Sequence, residues 1–223
     1  TNGVTNSATN RVMNRAMNRV TNSATNSVMN RVTNGATSGA GTAPSGTWGS
    51  SAFWSTSSAG TSATANTLTT ALDTLVFSAG TTATGSNGIT VSGTQNARTL
   101  SIEEGTVTFT GGTIALGAGG GITVGTTAGV GQTLSSNLSI SGAQIFNIGS
   151  GRTLALDTGT FTRGAGAVLN VQGSGTLTST MTGLSTNNAA GIVGAWASIG
   201  AGTATRYATF SGSTLMPLTG TAA

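Results

Sequence analysis

LSIEEGTVTFTGGTIALGAGGGITV, residues 100–124, is the stretch that decides the fold. Its apolar residues come in pairs at i and i+2: Leu100/Ile102, Val107/Phe109, Ile114/Leu116 and Ile122/Val124. A β-strand turns successive side chains to opposite faces, so each pair reads as one short strand with two side chains on the same side. The pairs begin at 100, 107, 114 and 122, and glycine stands in every gap between them. That spacing leaves room for a short strand and a tight turn, and for nothing else.

The same dyads continue in both directions. Leu75/Phe77 and Ile89/Val91 precede the stretch, and Leu138/Ile140, Phe146/Ile148, Leu154/Leu156 and Leu169/Val171 follow it, with Leu134 and Phe161 in the wider gaps. Hairpin proteins need similar turns, so an antiparallel β-sandwich is the alternative fold. The strands are nevertheless very short and almost uniform. Three of them per coil give a turn of roughly 22 residues, with each turn burying its dyads against its neighbours. The pattern therefore predicts an all-β chain with a right-handed parallel β-helix (β-solenoid) over 67–223, ending in a closing element at 186–223 that gathers Trp196, Tyr207 and Phe210.

Two other regions precede the solenoid. Residues 1–40 are ten tetrapeptides of the form Thr/Met, Asn, Gly/Ser/Arg, Val/Ala, broken only by Ser38 in the second position. On a helix a four-residue repeat advances its stripe by about 40° each time, so no fixed apolar face forms. Asn in every repeat also disfavours helix. The period suits a strand, either as stacked short strands with Asn ladders or as an extended arm that orders against a neighbour; a low-complexity leader is the alternative. The arm holds the candidate assembly residues Asn10, Arg11, Met13, Asn14, Arg15, Met17, Arg19, Met29 and Arg31, including four of the eight arginines. Residues 41–66 form a Gly/Ser/Thr-rich cap or linker with Trp48 and Trp54. Those two indoles are read either as an end plug or as exposed platforms for glycan stacking.

Composition narrows the function. Charged residues are 5% of the chain, against about 25% in average soluble proteins. There is no Lys, His or Cys, and the acids are Asp73, Glu103, Glu104 and Asp157. Without His or Cys, no Ser-His-Asp or Cys-His site and no His/Cys metal centre can be built. Glu103 and Glu104 are adjacent, so a strand sends them to opposite faces, and no second facing carboxylate accompanies either. No catalytic residue, cofactor or metal is expected. The net charge of +4 is too thin for the dense basic face that nucleic acid needs. No run of 18 apolar residues is present, so no transmembrane helix is expected. No signal peptide opens the chain at Thr1, which fits a processed chain or a piece of a longer one.

The run from Leu72 to Leu116, with Asp73 before an apolar strand and GTQNARTLSIEEGTVTFTGGTIAL within it, resembles the autotransporter-associated repeats of large bacterial surface proteins. GRTLALDTGTF (151–161), GIVGAWASIGAGTATRYATF (191–210), and Trp48 and Trp54 before the first strand add to the likeness. The resemblance implies a passenger region that forms a right-handed parallel β-helix outside the cell, without the family's membrane barrel. The tetrapeptide array has no counterpart in it.

The expected role is a structural subunit of an extracellular or cell-surface bacterial fibre, sheath or layer. It would form a homo-polymer by self-association through the solenoid ends and the arm. An adhesin or glycan-binding passenger is the alternative. Ice binding is a further one, suggested by Thr106, Thr108 and Thr110 and by Thr160 and Thr162, although the Thr-x-Thr-x-Thr pattern does not recur in every turn.

Overall fold

The computed structural model describes residues 31–34, 45–49, 54–55, 68–77 and 84–219. Among them the chain is a parallel β-solenoid of about five turns, without an α-helix. The first strands are β1 (Arg31–Asn34), β2 (Gly46–Trp48), β3 (Trp54–Ser55) and β4 (Thr74–Phe77). Two long strands follow, β5 (Ser86–Ile102) and β6 (Thr106–Val124), then β7 (Gly131–Ile140), β8 (Ala143–Ile148) and β9 (Thr153–Leu156). The last are β10 (Phe161–Arg163), β11 (Val168–Gly173), β12 (Thr176–Ser179), β13 (Ala197–Ile199), β14 (Arg206–Ser211) and β15 (Thr214–Pro217).

Three faces run along the solenoid. Face I stacks β2, the first parts of β5, β6 and β7, then β9 and β12. Face II stacks residues 94–97, 113–116, 137–140 and 161–163 and ends in a parallel bridge between Thr160 and Thr182. Face III stacks β1, β4, residues 99–102, 121–124, β8, β11 and β13. On face III, Leu100 lies beside Ile122, Ile122 beside Phe146, and Phe146 beside Val171, steps of 22, 24 and 25 residues. The dyad spacing predicted such a turn.

All of the predicted dyads point inward. None of their side chains is more than 3% exposed, and they form one continuous core with Leu134, Phe161 and the later Leu177, Met181 and Leu184. Burial of an aliphatic side chain contributes about 1.5–3 kcal/mol, so the stack of dyads is the main stabilising term.

The elements are longer than the dyads suggested. β5 and β6 each pass round two corners and serve all three faces in turn. Glycine makes this continuity feasible where the backbone bends. At the corner between faces I and II, Gly112 has φ +24, and a Cβ there would lie 2.3 Å from the Gly93 carbonyl oxygen. At Gly121, on face III, a Cβ would lie 1.7 Å from the Ile145 carbonyl oxygen of the next turn. The solenoid also begins earlier than residue 67, because β2 of the cap region pairs with Ile89–Val91, and Arg31–Asn34 of the arm pairs with β4.

Buried glutamines fix three corners. Gln95, Gln132 and Gln144 each donate to the carbonyl three residues back, those of Ser92, Gly129 and Ser141, at 2.5, 2.8 and 2.7 Å. Gln132 and Gln144 also reach the previous turn, donating to Gly105 and Gly117 at 3.1 and 2.6 Å. The Gln132 Oε1 accepts from the Val107 N–H at 2.6 Å, so this side chain, fully buried, replaces missing backbone partners on two turns. Such groups are costly to leave without partners.

We expect Gln132→Leu to lower stability by about 2 kcal/mol, because it strands the buried Val107 N–H and takes the side-chain donor from the Gly129 carbonyl, while the Gly105 carbonyl keeps the Gly129 N–H. Gln172→Leu, on the outward side of β11, should stay within about 0.5 kcal/mol of the parent. Urea denaturation followed by circular dichroism checks both, and equal effects would refute the corner role.

Candidate functional site

Most of the predicted assembly residues, Asn10, Arg11, Met13, Asn14, Arg15, Met17, Arg19 and Met29, lie outside the described residues. Arg31 is the first residue of β1. That strand runs parallel to β4, with Arg31 opposite Thr74, Val32 opposite Leu75 and Thr33 opposite Val76. On its other side β1 meets β3 in antiparallel register, Thr33 opposite Ser55 and Asn34 opposite Trp54. A piece of the tetrapeptide array is thus a strand of face III at the N-terminal end of the solenoid. The alternating Val and polar residues of the repeat are what such an edge accepts.

Trp48 and Trp54 are core residues, as the end-plug reading expects, and neither offers an exposed platform for glycan stacking or for contact with a neighbour. Both are fully buried. Their rings meet edge to face at 5.5 Å, and Phe77 packs on both, at 6.0 Å from Trp48 and 5.1 Å from Trp54. Phe77 continues to Phe109 at 4.8 Å. These T-shaped contacts favour ring edges over ring faces. The Trp48 indole N–H donates to Thr69 Oγ1 at 3.0 Å, and that hydroxyl donates to the Asn96 carbonyl at 2.6 Å. The cluster fills the core of the first described turns.

The C-terminal end is built differently. β14 and β15 form an antiparallel hairpin; β14 pairs with β13 of face III, and β15 pairs with β12 of face I. Asn187 clamps this hairpin with a backbone-like pair of bonds, donating to the Phe210 carbonyl at 3.0 Å and accepting from the Phe210 N–H at 2.8 Å. Trp196 stacks on Phe161 at 5.7 Å, with the Arg163 guanidinium 5.3 Å over its ring. Tyr207 is 53% exposed and lines a shallow depression with Ser198, Thr205 and Arg206.

The charged side chains are dispersed. Arg98 donates to Thr74 Oγ1, Arg152 to the Thr126 carbonyl, Arg163 to the Ala167 carbonyl, and Arg206 to the Thr203 and Thr205 carbonyls. Glu103 and Glu104 follow β5 at a corner, and Asp157 follows β9 further along the solenoid. Asp73, buried, accepts from the backbone N–H and hydroxyl of Thr70 at 2.7 and 3.0 Å and so shapes the turn before β4. Among the described residues no three acidic, His or Cys side chains gather in one place. No described helix is long and apolar enough to cross a membrane.

The outward side of face I carries a pattern that linear spacing concealed. Thr47 lies beside Thr90, Thr90 beside Thr110, and Thr110 beside Ser135. A second column runs Gly88, Thr108, Thr133, Ala155, Thr178 and, across the closing hairpin, Thr214. A third includes Ser86 beside Thr106, and Thr153 beside Thr176. Face II continues the theme, with Thr94 beside Thr113 and Thr113 beside Asn137. Thr–Thr pairs across strands are themselves favourable.

No protein family, curated protein or solved structure matches this chain.

Trp48→Ala and Trp54→Ala should each cost about 3–5 kcal/mol, as large aromatic truncations in a core do. In the folded protein, iodide should quench Trp196 and spare the other two indoles. Quenching of Trp48 and Trp54 in the folded state would return them to the surface.

Proposed function

We propose that the chain is a non-catalytic structural subunit of an extracellular bacterial fibre or surface layer, and that it polymerises by exchange of its N-terminal strand. The observation that supports this is the pairing of Arg31–Asn34 with the edge of β4. A strand added to a sheet edge is held by main-chain bonds, which any chain of the same sequence can offer. The tetrapeptide Arg31–Asn34, RVTN, occurs again at 19–22, and RVMN stands at 11–14. The chain therefore carries further copies of the edge-pairing sequence.

Exchange of an identical element between protomers is a low-cost route to association, and a head-to-tail exchange that does not close makes a filament. The closing hairpin gives the process a direction. β14 is paired on both sides by β13 and β15, and β15 by β14 and β12, so growth is assigned to the N-terminal edge. The likeness to autotransporter-associated passengers, the stacked solenoid and the absence of Cys fit a site of action outside the cell. The glycan-binding alternative is not carried forward on Trp48 and Trp54, since both sit in the core.

Deletion of residues 1–40, which removes β1, should abolish filaments in electron micrographs and leave a sedimenting monomer that keeps the strands from β4 onward. Val32→Pro, which removes a ladder N–H from β1, should weaken polymerisation in the same direction. Filaments that form normally without the arm would overturn the proposal.

A further inference from the structure

We propose that face I is an ice-binding surface. The ladder places Thr90 beside Thr110, Thr108 beside Thr133, and Thr153 beside Thr176. Each such pair is separated by the inter-strand distance of about 4.8 Å, and neighbours at i and i+2 along a strand by about 6.7 Å. Both spacings are set by main-chain hydrogen bonds rather than by side-chain choice. Threonine is also stiff at χ1, so each hydroxyl and methyl holds its position relative to the backbone. The result is a two-dimensional lattice of alternating hydroxyl and methyl groups on a rigid support.

The chemistry of the lattice selects the partner. A folded protein partner is usually gripped by aromatic or arginine anchors in pockets, and the paired outward positions of face I carry neither. An anionic ligand needs concentrated positive charge, and these positions are uncharged. A crystalline polysaccharide would repeat in two dimensions, but sugar rings are bound by stacking on aromatic side chains, which the face lacks. Solid water repeats in two dimensions, offers donors and acceptors to hydroxyls, and accommodates methyl groups in the gaps of its surface. Gly88, Gly131 and Ala155 each omit one hydroxyl without adding a charge, and Asp157, just after β9, accepts from the Thr180 hydroxyl.

This inference does not depend on the polymerisation reading. It concerns a face rather than an end, and it stands or falls whether or not filaments form. The test uses the full chain. Thermal hysteresis and partition into a growing ice front are measured for the parent, for Thr108→Tyr combined with Thr133→Tyr, and for Thr123→Tyr on face III. Strand content and melting temperature are followed alongside. The parent should show both activities, the face I variant should lose them while remaining folded, and the face III variant should retain them. Absence of both activities in the parent overturns the proposal. So does equal behaviour of the two folded variants, or retention by the parent on insoluble polysaccharide with none on ice. If the double variant fails to fold, Thr108→Val with Thr133→Val, which keeps the shape and removes the hydroxyls, is expected to reduce both activities, and unchanged activity in it overturns the proposal.

Discussion

The parallel ladder between successive turns is the interaction on which everything else in this chain rests. One turn of the solenoid holds only two or three inward residues per face, such as Leu100 and Ile102 or Gln144, Phe146 and Ile148, too few to bury anything alone. Placed between the turns of β4 and β6, Leu100 and Ile102 become fully buried. Stability is thus a nearest-neighbour quantity, as in other repeat proteins, and no turn has a private core. This explains why the corner glutamines matter out of proportion to their number. Gln132 ties its own corner to that of the preceding turn, holding the register in which the dyads overlap.

The same constraint makes the two ends the special places. An interior turn is covered on both sides, whereas an end turn exposes its dyads and a row of unpaired backbone groups. The two ends solve this with different means. Toward the N-terminal end of the described residues, aromatic volume joins the core: Trp48, Trp54 and Phe77 pack together, and β1 lies along β4. At the C-terminal end, a reversal of chain direction does it, with β14 and β15 turning antiparallel onto faces III and I. A hairpin satisfies its own inner edge, so it stops the stack. At the other end β1 is covered on its outer side by β3, of two residues, and the proposed assembly would therefore use the arm.

What the sequence disclosed, and what it withheld, follows from the range of each signal. Alternation of apolar and polar residues is local, so every dyad from Leu75/Phe77 to Leu169/Val171 was legible, as was a turn near 22 residues. Alignment between turns is not local. The step from Leu100 to Ile122 differs from the step from Phe146 to Val171, and Gly-rich corners absorb the difference. Columns such as Thr108 and Thr133 therefore lie at no fixed spacing in the chain and emerge only from the register. The buried glutamines left a trace that could have been found: SGTQ, GVGQ and SGAQ close at Gln95, Gln132 and Gln144. Each is a tight turn followed by an amide able to bond back to it. Trp48 and Trp54 were legible as an end plug from their size and spacing, but their partner Phe77 and the edge-to-face geometry emerge only from the register.

The absence of charge connects the outward faces to the ends. Charged side chains keep ordinary proteins apart, and edge strands in particular are guarded by them. Here the guards are few, and Arg98, Arg152, Arg163 and Arg206 are engaged with nearby carbonyl or hydroxyl oxygens. Threonine replaces charge as the solvating group, and it does so in columns because each turn repeats the choice of the last. A surface of this kind discriminates poorly among soluble partners but matches anything that shares its two-dimensional repeat. The proposed strand exchange at the β4 edge would act along the solenoid axis, while the proposed binding by the columns of face I would act perpendicular to it. The two uses draw on different residues, so neither has to be relinquished for the other. Polymerisation would multiply the number of aligned columns presented by one particle, and a longer lattice binds a repeating partner more tightly than a short one through the same multivalency that strengthens any tethered pair.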